Sequence, residues 1–595
     1  MPEYLAPGVY VEETSFRSKS IEGVGTSTTA FVGLTLKGPA GITPDLLTSF
    51  SDFERVYGGL NDINGKPNYI AHSVRAYFDN GGSRLYVSRV LASGAEARSD
   101  NLLPSGEKKT TALFKSRFEG EGGNGKISLI QKESPTSKQT LGNAPVGSIL
   151  QVKETEKGTE KKYFLKQADT KQLDDWKAGD TALNQNDLNP PLPSGVSPLP
   201  PLPLPPTLDL ITVTVVVRDP NGTEVIYDDL GLDARHPRYI GTALAMSPQR
   251  RSDFISNPFA LVINPGDPTA PSSTSVNALE LRAAIFGATS LREITLTGGT
   301  NGSDPTVGGY KSALQALEAL EDVAIVAAPG HSAYSEELFL AVQQELLNHV
   351  SRRKAYRVAI LDTPKDANLT QAKAVRSRID STYAALYYPW VVVANPLAKP
   401  GDVAHSELAL PPSGFVAGIY ARNDVERGVY KAPANEIVRG ALRFETDINF
   451  AQQEVLNPLG INCLRFFSGR GYRVWGARTV SSDPEWKYIN VRRYFVYLEA
   501  SIDRNTQWAV FEPNGMSLWT NIRDTISAFL YNEWLSGALL GSTPQEAFFV
   551  RCDRSTMTQN DLDNGRLICL IGVAVIKPAE FVIFRIGQTT VEARS

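Results

Sequence analysis

The stretch from residue 310 to residue 394 constrains the fold most, because apolar runs of strand length alternate there with segments of helical length. Helices are predicted at 310–320, 334–353 and 369–386, and strands at 322–328, 356–361 and 390–394. Strands that alternate with helices of this length form parallel sheets with helices on both faces. The sequence therefore predicts a parallel α/β core.

The N-terminal part of the chain carries a second set of such elements. Strands are predicted at 29–36 and 84–90, and helices at 50–57 and 69–78. A chain of 595 residues exceeds what one hydrophobic core supports, so two to four domains are expected. We predict a multi-domain α/β (mixed α+β) fold whose core combines residues 29–97 with residues 291–431.

Between these two parts the composition changes, since Lys, Glu, Gln, Asp and Thr dominate residues 98–237. We predict an inserted, exposed, β-rich outer domain there, with residues 238–290 as its second part. Residues 190–206 contain nine prolines in seventeen positions, and such a segment favours polyproline II. A stiff linker or surface loop is the preferred interpretation, and a docking site for a proline-binding partner is the alternative.

Residues 432–577 are predicted to form a C-terminal domain with one strong helix at 517–535. Apolar residues recur in that helix at three- and four-residue spacing, which buries one face, at Trp519, Ile522, Ile526, Phe529 and Leu530. Residues 1–28 are predicted to be an N-terminal arm and linker, and residues 578–595 a C-terminal arm.

Charge and apolar content exclude several classes of partner. Sixty basic and 64 acidic residues leave a net charge of −4, so no nucleic-acid partner is indicated. The longest apolar run, 567–576, is shorter than the roughly 20 residues that a membrane-spanning helix needs. We therefore expect synthesis in the cytoplasm and no direct membrane insertion. The three cysteines, Cys463, Cys552 and Cys569, form no CxxC pair and are expected to be buried and reduced.

Candidate chemistry is sparse. Residues 120–126 (GEGGNGK) fit the GxxxxGK pattern of a phosphate-binding loop, but Ile127 replaces the magnesium-binding Ser or Thr and a β-type run follows. Asp362, at the end of a predicted strand, and His331 are more typical of structural positions. We predict no catalytic, cofactor-binding or metal-binding residues. A nucleotide hydrolase and a monomeric surface-binding protein are the alternative functions.

A series of short sequences runs in order through both ends of the chain. They are PGVYVEE (7–13), LTGGTNG (296–302), AAPG (327–330), AALYYPW (384–390), PPSGFVAG (411–418), RND (422–424), RGVYKAPAN (427–435), GART (476–479), NVRR (490–493), FEPN (511–514), residues 537–544 and KPAE (577–580). Together they resemble the contractile tail sheath proteins of phages and phage-like injection systems. The resemblance covers residues 1–97 and 291–595 and does not extend to the proline-rich insertion.

This resemblance implies a structural protein rather than an enzyme, with no cofactor. Its expected partners are further copies of itself in rings or a helix, an inner tube protein, and baseplate and terminal cap proteins. The subunit would assemble in the cytoplasm around the tube in a metastable extended state, as part of a phage virion or phage tail-like particle. Contraction would then drive the tube through a target envelope.

The two chain ends suggest how copies are joined. Both ends carry short β-prone runs that would be exposed in a lone subunit, so we expect exchange of strands between subunits, through Val9, Tyr10, Val11, Glu12, Phe581, Val582, Ile583, Phe584 and Ile586. The polar side of the helix at 517–535 is the candidate tube-facing surface, with Asn521, Arg523, Asp524 and Glu533.

Overall fold

The computed structural model describes residues 20–91, 96–99, 102, 112–153, 161–188, 206–220, 222–263, 277–302 and 304–585. Three sequence expectations therefore lie wholly or almost wholly outside the described residues: the N-terminal strand with Val9, Tyr10, Val11 and Glu12, the position Ile586, and the proline-rich segment 190–206.

The described elements follow in chain order. Residues 20–91 contain β1 (Thr29–Leu34), β2 (Leu46–Leu47), α1 (Phe50–Tyr57), α2 (Tyr69–Asp79) and β3 (Leu85–Val90). Residues 96–302 contain β4 (Ala112–Ser116), β5 (Gly125–Thr136), β6 (Ile149–Lys153), β7 (Lys161–Lys166), β8 (Trp176–Ala178), β9 (Thr181–Ala182), α3 (Gln185–Leu188), β10 (Thr207–Arg218), β11 (Glu224–Leu230), α4 (Ile240–Ala243), α5 (Arg251–Ser256), β12 (Phe259–Ile263), α6 (Ala278–Phe286) and β13 (Leu291–Leu296).

The second half of the chain continues the series. Residues 304–480 contain α7 (Val307–Ala316), β14 (Ile325–Ala327), α8 (Glu336–Val350), β15 (Val358–Asp362), α9 (Leu369–Ser377), β16 (Ala384–Tyr388), β17 (Val391–Ala394), β18 (Glu407–Leu410), α10 (Pro412–Arg427), β19 (Glu436–Ile437), β20 (Arg443–Phe444), α11 (Phe450–Leu456), β21 (Ile461–Phe467) and β22 (Gly471–Trp475). Residues 481–585 contain α12 (Ile489–Asn505), α13 (Met516–Leu535), α14 (Pro544–Ala547), β23 (Phe548–Arg551), α15 (Gln559–Asp563) and β24 (Leu570–Val573).

The core is a nine-stranded sheet in which the order β3-β1-β14-β15-β16-β21 is parallel throughout. Strands from the N-terminal part thus pair directly with strands from the second half, which confirms the predicted α/β core. The strand order reverses between β1 and β14, as in doubly wound folds. Helices α1, α2 and α10 pack on one face of this sheet, and α7, α8 and α9 pack on the other.

Close contact between α2 and α10 explains part of the glycine pattern at 411–418. A Cβ atom at Gly414 would lie 2.6 Å from Cβ of Ser73, and one at Gly418 would lie 2.4 Å from the carbonyl oxygen of Tyr77. These two positions exclude any side chain because two helix backbones meet there.

One predicted helix of the core extended too far, and one predicted strand lies outside the parallel sheet. The helix predicted at 369–386 ends at Ser377, and Ala384–Tyr388 is instead a buried strand of the parallel sheet. The strand predicted at 390–394 exists as β17, but it pairs antiparallel with β18 and β20 in a separate three-stranded sheet.

The insertion is built on an eight-stranded, mainly antiparallel sheet around β5 and β10. One hydrophobic cluster joins residues from Ala97 to Leu296, so the stretches 98–237 and 238–290 share a core. The strand β13 pairs with β5 in this sheet, so the insertion continues past residue 290, where the sequence analysis begins the second part of the core.

The C-terminal domain predicted at 432–577 begins later than residue 432, because β19, β21 and β22 belong to the nine-stranded core sheet. The helices α12 and α13 form a separate cluster. All five apolar residues predicted for the buried face of α13 are buried there. Among the described helices, none has both the length and the apolarity needed to cross a membrane.

Candidate functional site: the two chain ends and the C-terminal domain

The crevice where ligands bind in doubly wound sheets is closed in this chain. Ligands of such folds lie beyond the carboxyl ends of the strands, where the strand order reverses, which here is between β1 and β14. Tyr69 packs against Gly330 at this place, Ile70 covers Gly33, and the remaining cavity measures about 20 Å³. A space of this size holds about one water molecule.

The other candidate chemical positions have structural partners. Strand β5 follows the loop 120–126 directly, and within that loop Asn124 exchanges two hydrogen bonds of 2.8 Å with the backbone of Gly299. The carboxylate of Asp362 accepts bonds from the backbone N–H (2.8 Å) and hydroxyl (2.6 Å) of Ser413 at the N-terminus of α10. Burial raises the pKa of Asp362 to about 7, although the two hydrogen bonds from Ser413 act to lower it.

The Nδ1 atom of His331 lies 2.6 Å from the carbonyl oxygen of Ala328, and the ring is fully buried. In the described part of the chain, no group of three or more His, Cys, Asp and Glu side chains is arranged to hold a metal ion. The loop 120–126, Asp362 and His331 therefore each have at least one structural partner.

The N-terminal segment 20–28, predicted to be part of an arm and linker, lies along α12 and α10. The backbone N–H of Val24 donates to Oγ of Ser501 (3.1 Å), and Oγ1 of Thr26 donates to Oδ2 of Asp424 (2.6 Å). Asp424 is also paired with Arg493 at 2.5 Å, and both side chains are only 3% exposed. Removing one partner of a buried pair leaves an uncompensated charge, so Asp424 and Arg493 are expected to stay paired. The hydrogen bond from Thr26 to Asp424 attaches the segment to this pair.

The C-terminal arm is fastened at Glu580. Arg478 donates two hydrogen bonds of 2.7 Å, one to each carboxylate oxygen of Glu580. Asn457 (2.8 Å) and Tyr488 (2.9 Å) donate two more, and Lys487 lies at 3.4 Å. Burial opposes ionisation, but the hydrogen bonds from Arg478, Asn457 and Tyr488 outweigh it and lower the pKa of Glu580 to about 2. We call this group the Glu580 clamp.

The chain beyond the Glu580 clamp is apolar and exposed. The exposed fractions are 70% for Phe581, 68% for Val582, 78% for Ile583 and 82% for Phe584. No strand pairing is recorded for residues 581–585 in the described structure. Four consecutive large apolar side chains on the surface indicate an interaction site.

A short sheet with open edges lies in the same domain. Strands β23 and β24 pair only with each other among the described strands, over four residues each, apart from a bridge between Leu539 and Val575 beyond the end of β24. Phe549 and Leu570 are both 50% exposed on this sheet. A two-stranded sheet is marginally stable alone, so its edges offer backbone donors and acceptors for further strands.

The structure separates the tube-facing candidates on α13. Asn521 and Asp524 are exposed, and Arg523 is partly exposed and pairs with Asp524 at 3.1 Å. Glu533 instead lies on the inner side, where its carboxylate accepts hydrogen bonds from the hydroxyls of Tyr494 (3.0 Å) and Tyr497 (2.8 Å). The helical period explains this position, since Glu533 continues the buried stripe of Ile522, Ile526, Phe529 and Leu530.

The sequence alone does not reveal the Glu580 clamp or the Asp424–Arg493 pair. These residues are far apart in the chain, and only the fold brings them together. One signal was available, since Arg478, Glu580 and Arg493 all fall within the short sequences GART, KPAE and NVRR.

The described residues thus combine a multi-domain α/β fold with an exposed apolar segment at 581–584 and a two-stranded sheet whose edges are open among the described strands. Comparison with known proteins then shows which proteins this chain is similar to. The family model of the phage tail sheath protein central domain matches residues 305–480, and that of the phage tail sheath C-terminal domain matches residues 481–589. The two matches together span residues 305–589, and over this part the chain is similar to phage tail sheath proteins.

A putative prophage major tail sheath protein of Pseudomonas aeruginosa (strain UCBPP-PA14) is 25% identical over 271 residues. That match covers 44% of this chain and 64% of the relative, which is less than two thirds of its length.

Two solved structures show the same fold over the whole chain. The helical sheath of the anti-feeding prophage in the contracted state has a TM-score of 0.53 at 21% identity, covering 98% of this chain and 100% of that one. The PVC sheath complex of an extracellular contractile injection system, also contracted, has a TM-score of 0.50 at 20% identity, covering 100% of both chains.

Proposed function

We propose that this chain is the sheath subunit of a contractile tail or injection system, and that it polymerises around an inner tube by exchanging terminal strands between copies. The matches to the central and C-terminal domains of phage tail sheath proteins support the general role. The observation that carries the strand exchange is the exposed apolar run Phe581, Val582, Ile583 and Phe584, which follows the Glu580 clamp directly.

The acceptor of the arm is the sheet formed by β23 and β24. Its strands are four residues long, the same length as the exposed run at 581–584, and its edges are open among the described strands. An added strand would supply backbone hydrogen bonds, while its alternate side chains would set the register. Burial would add about 1.5–3 kcal/mol for each of the four large apolar side chains.

A second strand would be donated to a neighbouring copy by the N-terminal residues Val9, Tyr10, Val11 and Glu12. A contact in which one copy donates and the next accepts is head-to-tail, and such contacts propagate into rings or helices. In this proposal the exchanged strands stay paired while the domains rotate, so the assembly can pass from an extended metastable state to a contracted one without dissociating.

The inner tube protein is the proposed partner of the outer side of α13, through Asn521, Arg523 and Asp524. Asn521 and Asp524 are exposed, and Arg523 is partly exposed. Baseplate and terminal cap proteins are the further proposed partners, with assembly in the cytoplasm before incorporation into a phage or phage tail-like particle.

The test is to end the chain after Glu580, which removes the arm and keeps the Glu580 clamp. We expect a folded protein with the wild-type circular-dichroism spectrum that no longer forms tubes or ring stacks in negative-stain microscopy. Removal of residues 1–15 should have the same effect through the other arm.

A matched point variant replaces Phe581 and Ile583 by Ser, and its control replaces Val403, which is 84% exposed but far from the arm in sequence, by Ser. The arm variant should lose assembly and the control should keep it. Normal tubes from the shortened chain would overturn strand exchange. A wild-type chain that stays monomeric with its tube protein present would support the alternative of a monomeric surface-binding protein.

A further inference from the structure

Two of the three cysteines lie opposite each other at the end of the β23–β24 sheet. The register pairs Phe548 with Val573 and continues to Arg551 with Leu570. The next antiparallel pair in this register is Cys552 with Cys569. The two residues are adjacent across the strands although seventeen positions separate them in the sequence.

The hydrogen-bond pattern shows which kind of pair this is. The backbone N–H of Ala574 donates to the carbonyl oxygen of Ala547 at 2.8 Å, one step beyond the other end of the sheet. Hydrogen-bonded and non-hydrogen-bonded pairs alternate along antiparallel strands, and Cys552 is five residues from Ala547. The cysteines therefore occupy a non-hydrogen-bonded pair, whose Cα atoms lie about 4.5 Å apart, within the range that a disulfide spans.

Further contacts hold this end of the sheet together. The hydroxyl of Thr556 donates to the carbonyl oxygen of Ile568 at 2.7 Å, so the segment after Cys552 is tied to the residue before Cys569. Cys552 is 1% exposed and Cys569 is half-buried, and both belong to the cluster packed around α13. Burial raises the pKa of both thiols, to about 12 for Cys569.

We propose that Cys552 and Cys569 are a redox pair that closes into an intrachain disulfide when the folded subunit meets a small-molecule disulfide of the glutathione class. This revises the sequence-based expectation that both remain reduced core residues. It concerns the stability of the C-terminal domain and does not depend on strand exchange.

The reaction is thiol–disulfide exchange in two steps. The thiolate of Cys569, the more exposed of the two, attacks the oxidant disulfide, forms a mixed disulfide and releases one glutathione thiolate. The thiolate of Cys552 then attacks the sulfur of Cys569 and releases the second. The protein loses two protons and two electrons, and one molecule of oxidised glutathione becomes two of the thiol.

The disulfide would join β23 and β24 at the end where the segment containing α15 connects them. It would stabilise the β23–β24 sheet by restricting the unfolded chain. We expect the oxidised form to melt about 5 °C higher or more. Because the thiolate is the nucleophile and its pKa is raised, oxidation should be slow at pH 7 and accelerate roughly tenfold per pH unit up to about pH 10.

The experiment incubates the full-length protein with oxidised glutathione at several pH values, blocks the remaining thiols with a maleimide, and maps the peptides. The expected product links Cys552 to Cys569 and leaves Cys463, which is fully buried, as a free thiol. Dithiothreitol should reverse the link and the melting shift together.

The variants make the result decisive. Cys463→Ser should react like the wild type, whereas Cys569→Ser should show neither the link nor the melting shift. Cys552→Ala should stop at a mixed disulfide on Cys569. A stable mixed disulfide in the wild type, a link between chains, or two thiols that stay free at pH 10 would each overturn the proposal.

Discussion

Glu580 is the residue at which the C-terminal arm stops being held by side chains. Its carboxylate accepts two hydrogen bonds from Arg478, one from the amide of Asn457 and one from the hydroxyl of Tyr488. The exposed apolar run begins at the next position. Charge-assisted and bidentate bonds of this kind are stronger than neutral ones. The clamp therefore fixes the direction in which the arm leaves the domain.

We predict that Glu580→Gln lowers the free energy of unfolding at pH 7 by about 2 kcal/mol, because Arg478 loses its charged partner. The sign of the pH dependence follows from the lowered pKa of Glu580, about 2 against an ordinary 4.5. The native state favours the ionised carboxylate, so its stabilisation is complete above pH 4.5 and is lost as the pH falls toward 2.

Urea unfolding of both proteins between pH 7 and pH 3 measures this effect. The difference between wild type and Glu580→Gln should shrink as the pH falls below 4.5. Glu224→Gln is the control, since Glu224 pairs with Arg218 on the surface of the insertion and such pairs contribute less than about 1 kcal/mol. A difference that stays constant across the pH range would contradict the clamp.

At the scale of elements, the sequence predicted the core helices and strands well where their patterns are distinct. The helices α1, α2, α8 and α13 lie within a few residues of their predicted bounds. The failure at 369–386 has a physical cause: Ala384–Tyr388 is buried on both faces, so it lacks the alternation that marks a half-exposed strand. The order of strands and the partner of each arm depend on contacts between distant residues, which local patterns do not contain.

Helix α13 is predicted to contact the inner tube protein through its exposed charged side. Exchanging the charges of the pair, Arg523→Glu with Asp524→Arg, keeps the local ion pair and the net charge but inverts the pattern on the outer side of the helix. The fold should be unchanged, because exposed pairs contribute little. Binding to the tube should weaken at least tenfold, since like charges that face each other across an interface cost several kcal/mol.

Co-sedimentation of sheath and tube proteins at two salt concentrations measures this loss. The control exchanges Arg218→Glu with Glu224→Arg in the insertion, where the pair is similarly exposed, and it should bind the tube normally. Normal co-assembly of the α13 variant would remove α13 from the proposed tube surface.

At the scale of the whole molecule, the insertion is a domain whose two ends meet. The backbone N–H of Arg98 donates to the carbonyl oxygen of Thr297 (2.9 Å), and that of Thr297 donates to the carbonyl oxygen of Arg98 (3.1 Å). The insertion touches the core through few strong contacts, of which the ion pair of Lys37 with Asp219 at 2.7 Å is the most buried. The core sheet is thus complete without the insertion, because its strands come only from residues outside 98–297.

We therefore predict that replacing residues 99–296 by a short Gly-Ser turn leaves a soluble core that still polymerises. Lys37 would lose its ion-pair partner Asp219 but would become hydrated, so the loss of folding free energy of the core should be small. Deleting only residues 98–237 should instead prevent folding, because β12, β13 and α6 would lose the strands β4, β5 and β10 that they pair with or pack against. Circular dichroism, thermal melting and negative-stain microscopy of the two variants test this pair of outcomes. Tubes from the deletion of residues 98–237 would show that the boundary of the insertion lies elsewhere. A folded but monomeric protein from the replacement of residues 99–296 would show that the insertion takes part in assembly.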